Sequence, residues 1–239
     1  MRIDASTNEV TGRVGGVDGP GVHGPVVVDA TGVWAIEDGE DERDAAVVRI
    51  DPQTLEIEAR IPVGGSPFDM AAGAGSVWLV ARGDGEAGTA DLLRIDAGSG
   101  AVAARIPIDG AGIWIAADDS GLWLPARDPG DPHDPGAYFV DASTNAVSGE
   151  HGDVDHFRPF AIADGRLWFI AGPGDDGLPD GGVCGLNTST GAVDVCAELD
   201  PSPDLKLTPQ PAALETRTRS IWVGASGEPG IARIDLVPR

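Results

Sequence analysis

Five tryptophan-centred apolar runs at a fixed spacing, a recurring hairpin turn and a lack of helical patterning predict an all-β protein: a β-propeller of four-stranded antiparallel blades. The runs are GVWAI at 32, SVWLV at 76, GLWLP at 121, RLWFI at 166 and SIWVG at 220. Trp34, Trp78, Trp123 and Trp168 therefore stand 44 to 45 residues apart, and Trp222 extends the series. A four-stranded unit of this length cannot bury both of its faces alone and must stack on its neighbours, which is the logic of a blade. The chain of 239 residues carries 35 Gly and 19 Pro, and nowhere do apolar residues recur at helical spacing for three turns.

Each strand of the unit has its own signature. The innermost, A, mostly follows a proline or glycine: GPVVVDA, SPFDMAA, GIWIAAD, RPFAIAD and QPAALET. The Trp runs are strand B. Strand C is the RID-type segment of VVRID, LLRID, YFVD, VCGLN and IARID, and strand D is EIEARI, AVAARI and their counterparts. Gly or Asn stands in the C-D turns (DAGSGA, DASTNA), where a positive φ is useful. A sixth C-D copy, MRIDASTNEVTGRV, opens the chain. The strand expected over 9–14 would complete the last blade, whose third strand lies at 230–235, giving about five blades in one domain over 1–235. The alternative is a fragment of a six- or seven-bladed ring, because RID occurs at both ends. Residues 236–239, LVPR, match what a protease-cleavage tag leaves behind and are set aside as a tag remnant.

The order VW…RID…G-x-V, as in GGSPFDMAAGAGSVWLV…LLRIDAGSGAVAARIPI, resembles the YVTN-type β-propeller repeats and, more distantly, NHL and streptogramin-lyase propellers. The resemblance implies mainly binding or surface display, with lyases and lactonases among the relatives.

Charge narrows the partners. The formal net charge is -23 and Lys206 is the only lysine, so the clustered cations that bind phosphate backbones or anionic lipid are missing. No apolar stretch approaches the ~18 residues of a membrane helix, and no export signal follows Met1. Nucleic acid and membrane insertion are therefore not expected; a small-molecule or protein ligand and a monomeric state are.

Loop lengths locate that ligand. A-B turns are short and C-D turns uniform, whereas the B-C loops EDGEDERDA, ARGDGEAGTA, ARDPGDPHDPG and AGPGDDGLPDGG differ and are rich in Asp. Function is grafted on variable loops of a fixed scaffold, which points to the B-C and D-A face. All four histidines trace to it: His23, His133, His151 and His156. His151, Asp153 and His156, in GEHGDVDHFRP, could hold a divalent cation, and either histidine could stand as a general base. The spacing matches no defined metal loop, so a solvated acidic rim is the competing reading; no cofactor is otherwise implied and no catalytic residue is assigned. On the inner strands one parity (Val26, Phe68, Trp114, Phe160, Ala212) reads as core between blades and the other (Val27, Asp69, Ile115, Ala161, Ala213) as funnel wall; alternatively Phe68, Trp114 and Phe160 form an aromatic rim at the pocket mouth. Asp69, Trp114, Arg158 and Gln210 are the candidate ligand-binding residues. The function expected is a non-catalytic extracytoplasmic ligand-sensing or protein-interaction module. The alternative is a metal-dependent small-molecule lyase or hydrolase.

The only two cysteines, Cys184 and Cys196, flank the turn GLNTSTGAV. If Asn187 faces Val193 the cysteines are directly opposite and a disulfide fits, placing the chain in an oxidising compartment. If Leu186 faces Val193, a simple slip sends them to opposite faces.

Overall fold

The computed structural model describes residues 2–4, 6–14, 22–39, 44–82, 89–109, 114–128, 131–151, 158–171, 178, 182–197, 208–215, 220–226 and 231–235. The chain forms two compact units, Met1–Asp109 and Gly110–Arg239.

In the first unit a hairpin of β1 (Arg2–Ile3) and β2 (Val10–Gly12) precedes two four-stranded sheets. These are β3 (Val22–Asp29), β4 (Gly32–Glu37), β5 (Ala46–Ile50) and β6 (Ile57–Pro62), then β7 (Ser66–Gly73), β8 (Ser76–Arg82), β9 (Thr89–Asp96) and β10 (Val102–Asp109). The second unit continues with β11 (Ala116–Ala117), β12 (Gly121–Asp128), β13 (Asp131–Asp141) and β14 (Val147–His151). It ends with β15 (Arg158–Ala163), β16 (Arg166–Ile170), β17 (Val183–Asn187) and β18 (Val193–Ala197), and the three-stranded β19 (Thr208–Glu215), β20 (Ser220–Ser226) and β21 (Ile231–Asp235). Strands pair antiparallel in chain order within every sheet, so the chain is an all-β protein of propeller blades, about five of them. The strand expected over 9–14 is the shorter β2, whose described partner is β1.

Stacking follows one rule in both units. The face of the first sheet carrying Trp34, Ile36, Val47 and Ile61 shares a buried cluster with Met70, Val77, Leu79 and Ile95 of the second. In the second unit Trp123 and Phe139 pack with Leu167, Phe169, Cys184 and Leu186 of the next sheet. Each of these tryptophans is a wedge between sheets, as its period predicts. On the other face of the first sheet, Ala35, Val48 and Ile50 are covered in part by Val14, just past β2.

Two turn chemistries close the A-B corners. In DATG, Asp29 Oδ1 accepts from the Thr31 amide (2.7 Å), the Thr31 hydroxyl (2.6 Å), the Gly32 amide (3.1 Å) and the Trp34 indole Nε1 (3.2 Å). In DDSG, Asp118 likewise accepts from Ser120 and Gly121. The other two described corners place Ala74-Gly75 and Asp164-Gly165 at positive φ (52° and 65°; 54° and 70°), a primed hairpin turn. Burial pushes the Asp29 carboxyl up, but the bonds from Thr31, Trp34 and Gly32 outweigh it and hold it below the usual carboxylate range. Asp29→Ala leaves the indole N–H of a fully buried tryptophan unpaired and should lower stability by about 2 kcal/mol in urea unfolding, against less than half of that for Asp29→Asn.

The C-D turns use the residue at the end of strand C, the Asp of RID in three copies, as an acceptor. Asp4, Asp51, Asp96 and Asp141 each receive amides two or three residues on, and Asn187 does the same for Ser189 and Thr190. Asn8, Asn145, Gly100 and Gly191 supply the left-handed residue, as expected, but Leu55 takes it with φ 63°. A Cβ on Gly12 would run into the Leu55 side chain, so Leu55 lies against the N-terminal hairpin and this contact offsets its strained backbone. The four turn carboxyls are held below their usual range, chiefly by the Ser6 hydroxyl at Asp4, the Thr54 amide at Asp51, the Ser99 hydroxyl at Asp96 and the Ser143 hydroxyl at Asp141. A lowered folded-state pKa stabilises above the unfolded value, near 3.9, and that contribution is lost as pH falls through the folded value. The melting-temperature gap between wild type and Asp141→Ala should thus be constant from pH 7 to about pH 5 and shrink below pH 4. A gap that widens in acid would contradict this.

Candidate functional site

Four of the five A strands, β3, β7, β15 and β19, are irregular where they meet their B strands, whereas the two residues of β11 pair without a shift. Pro67 faces Ala81 and Asp69 faces Val80, so Phe68 is an extra residue; Pro159 faces Phe169 and Ala161 faces Trp168, so Phe160 is another. β3 shifts register between His23 and Val27, and β19 between Gln210 and Ala213. Proline supplies no amide to the ladder, and a bulge beside it bends the strand and re-aims side chains. These strands are neighbours across sheets: β3 lies against β7 in the first unit, and β15 against β11 and β19 in the second. The bulges invalidate the simple alternation expected on the inner strands. Val26, assigned to core, is 62% exposed, whereas Val27, assigned to the wall, packs on the Trp34 cluster. Ile115, also assigned to the wall, is buried, and Phe160 and Ala161 both pack against Trp168, Ile170 and Val183.

Asp69, in the first unit, follows directly on the Phe68 bulge, is half-buried, and accepts the Met70 amide at 2.9 Å. Gly64 and Gly65, at φ 66° and 67°, turn the chain from β6 into this strand; a Cβ on Gly64 would meet nothing, so backbone conformation is what demands glycine there. In the second unit Trp114 is half-buried two residues before β11. Arg158 begins β15 opposite Ile170, and Gln210 lies in β19 opposite Gly224; their side chains lie outside the described residues. His151 ends β14 opposite Ala137, and its side chain, with Asp153 and His156, also lies outside the described residues. Among the described residues no group of three or more His, Cys, Asp or Glu is placed to hold a metal ion.

The third B-C segment, expected as a loop, is instead largely strand. β12 and β13 extend until Asp128 faces Asp131, leaving only Pro129-Gly130 between them, and His133 lies within β13.

Sequence reasoning missed how each buried tryptophan is covered. Trp34 pairs with Arg49 and Trp78 with Arg94 across strands B and C, and the guanidinium carbons lie 5.7 and 5.1 Å from the ring centroids. Trp123 pairs with Phe139, whose ring lies 5.1 Å away. Trp168 pairs with Gly185, and Arg166 from the start of strand B crosses the space a side chain there would fill. The signal was the RID arginine facing the tryptophan, with glycine and arginine exchanged in the fourth copy. Glu37, buried at the end of β4, is held by Arg60 through Nε (2.8 Å) and a terminal nitrogen (3.2 Å), which raises the arginine further.

Cys184 and Cys196 form a disulfide with a Cα–Cα distance of 4.1 Å. Both expected registers hold at once. Cys184 faces Cys196, Leu186 faces Val193, and a bulge with Asp194 as the extra residue reconciles them. The same extra residue recurs as Thr11, Glu58, Ala103 and Gly149 in the other C-D hairpins.

No family model matches the sequence, and no curated protein matches it. Solved structures do resemble it. KlAtg21, in its complex with the coiled coil of AgAtg16, is 9% identical with a TM-score of 0.60, over 85% of this chain and 63% of that one. Hsv2 of Kluyvelomyces marxianus is 8% identical (TM-score 0.50, 86% and 57%), and hydrazine synthase of Kuenenia stuttgartiensis 15% (0.53, 95% and 80%). The chain spans about three-fifths of the length of the first two. At such identities the likeness is one of fold: this chain has the β-propeller fold of Atg21 and Hsv2.

Proposed function

We propose that the chain is a non-catalytic, extracytoplasmic β-propeller of the YVTN-repeat type, acting as a ligand-sensing or protein-interaction module through its B-C and D-A connections. One observation carries the reading. Asp29 and Asp118 of the A-B turns and Asp4, Asp51, Asp96 and Asp141 of the C-D turns are engaged by the amides and hydroxyls of their own turns, so those corners serve the scaffold. The Asp-rich B-C segments differ from blade to blade and do not share that turn motif. The inner-strand bulges beside Asp69 and Phe160 lend support, since bulges commonly re-aim residues near binding sites. The disulfide favours an oxidising location outside the cytoplasm. Atg21 was solved with a coiled coil from another protein, and a protein partner is the corresponding class here.

The test is a thermal-shift screen of peptides, small metabolites and divalent cations, repeated on a variant whose residues 83–88 are replaced by a Gly-Ser turn and on Asp141→Ala. The reading requires a ligand whose stabilisation is lost in the first variant and kept in the second. Stabilisation that survives loop replacement, or turnover of a ligand, would overturn it. A shift with cations alone that disappears in His151→Ala or His156→Ala would replace it with the metal-dependent reading.

A further inference from the structure

The geometry points to the Cys184–Cys196 disulfide as a site of thiol–disulfide exchange on the folded protein, opened from the side of the exposed Cys196 by a dithiol reductant, with release of the outer strand β18 as the consequence. The inference is independent of the binding reading above. It begins with an asymmetry: Cys184 is 0% exposed among Leu167, Phe169 and Leu186, whereas Cys196 is exposed. A reductant can therefore approach the bond from the Cys196 side and not from the Cys184 side.

The position of the bond in the sheet gives the second step. β18 is the last strand of its sheet, and its described pairing is with β17 alone. The residues that correspond to Cys196 on the first two outer strands are Arg60, opposite Val48, and Arg105, opposite Leu93. Each anchors its strand without a covalent bond. Arg60 binds Glu37, while Arg105 binds Asp91 Oδ2 and the Val63 carbonyl, both at 2.8 Å. The fourth sheet thus fills the anchor position with a bond that chemistry can open. The hairpins of the first two sheets make the same bulged pairing with no cysteine, so the cross-link is not what shapes the hairpin.

The chemistry balances with one dithiol. Its thiolate attacks Cys196 Sγ, the S–S bond breaks, and Cys184 leaves and takes up a proton inside the apolar cluster, where a neutral thiol packs as a small hydrophobe. The second thiolate of the reductant then displaces Cys196, leaving two protein thiols and an oxidised reductant. What still holds β18 is its ladder, the Arg166–Asp194 pair at 2.7 Å, and Val193 and Val195 against the two buried clusters. An edge strand so held opens locally far more readily than a central one.

The test treats the oxidised full chain with dithiothreitol in native buffer, counts alkylated cysteines by mass spectrometry, and follows amide exchange of β17–β18 against β8–β9. Reduction should be first order in reductant and indifferent to urea below the unfolding transition, with unchanged far-UV circular dichroism. Exchange in β18 should rise by about tenfold or more while β8–β9 stays protected. The Cys184→Ala/Cys196→Ala double variant should show the same rise with no reductant. Reduction that occurs only as the protein unfolds, or β18 protection that is the same in oxidised and reduced protein, would overturn the assignment.

Discussion

Trp34→Ala is expected to destabilise the first unit by about 3–5 kcal/mol, the largest loss of any single truncation in it. The indole is fully buried between two sheets, in one cluster with Ile36, Val47 and Ile61 on its own side and Met70, Val77 and Leu79 on the other. Its removal opens a cavity lined by two independently hydrogen-bonded sheets, which cannot close on it without breaking ladder bonds. Three other contacts go with it: the Nε1 bond to Asp29 at 3.2 Å, the Arg49 guanidinium over the ring at 5.7 Å, and the packing of Val27. Trp34→Phe keeps most of the wedge and loses the hydrogen bond and part of the volume, so about 1–2 kcal/mol is expected. Urea unfolding followed by circular dichroism measures both. A loss below about 1 kcal/mol for Trp34→Ala would mean that the sheets are not held by this wedge.

That much was legible because stacking imposes a period. A residue needed once per blade recurs at the blade length, and the turns that join the strands carry their own acceptors, as Asp51 and Asp141 do. What the sequence concealed were the bulges. An extra residue leaves no mark in composition, yet it inverts the facing of everything beyond it. The assignment of Val26 to core failed where β3 breaks register between His23 and Val27. The bulge at Asp194 explains why two cysteine registers that excluded each other on an ideal ladder are both present. The candidate ligand and metal residues were least legible, because Arg158, Gln210, His151, Asp153 and His156 lie in or beside connections whose conformation no repeat dictates. Even so, the Asp69 position is understood only through Phe68: without the bulge, Asp69 would fall on the other face of β7.

The second large effect concerns the exchange of arginine and glycine in the fourth sheet. Gly185→Arg restores the residue that faces tryptophan in the first two sheets, and a reading by repeat consensus would count it as stabilising. It should instead cost about 2–3 kcal/mol. A Cβ at 185 would lie 2.9 Å from Arg166 Cδ, 2.9 Å from Val195 Cγ1 and 3.3 Å from the Trp168 ring. Val195 is β-branched and stiff, and Arg166 is pinned by two bonds to Asp194, at 2.7 and 2.8 Å. Arg166 occupies the position that is Gly32, Ser76 and Gly121 in the preceding copies, and Gly121 is itself kept small first by the Val140 carbonyl and then by the Phe139 ring. One bulky group per tryptophan is therefore the rule, drawn from either strand. Arg166→Gly alone should also destabilise, by about 1 kcal/mol, through loss of the half-exposed Asp194 pair and of packing. Made together, the two substitutions restore the arginine and glycine of the first sheet and relieve the Arg166 clash, with Val195 still standing where that sheet has Ala59. The double variant should therefore be more stable than the sum of the singles by at least about 1 kcal/mol. Additive losses would show that Arg166 and Gly185 are not exchanging one volume, and the coupling energy from the four urea curves decides between the two outcomes.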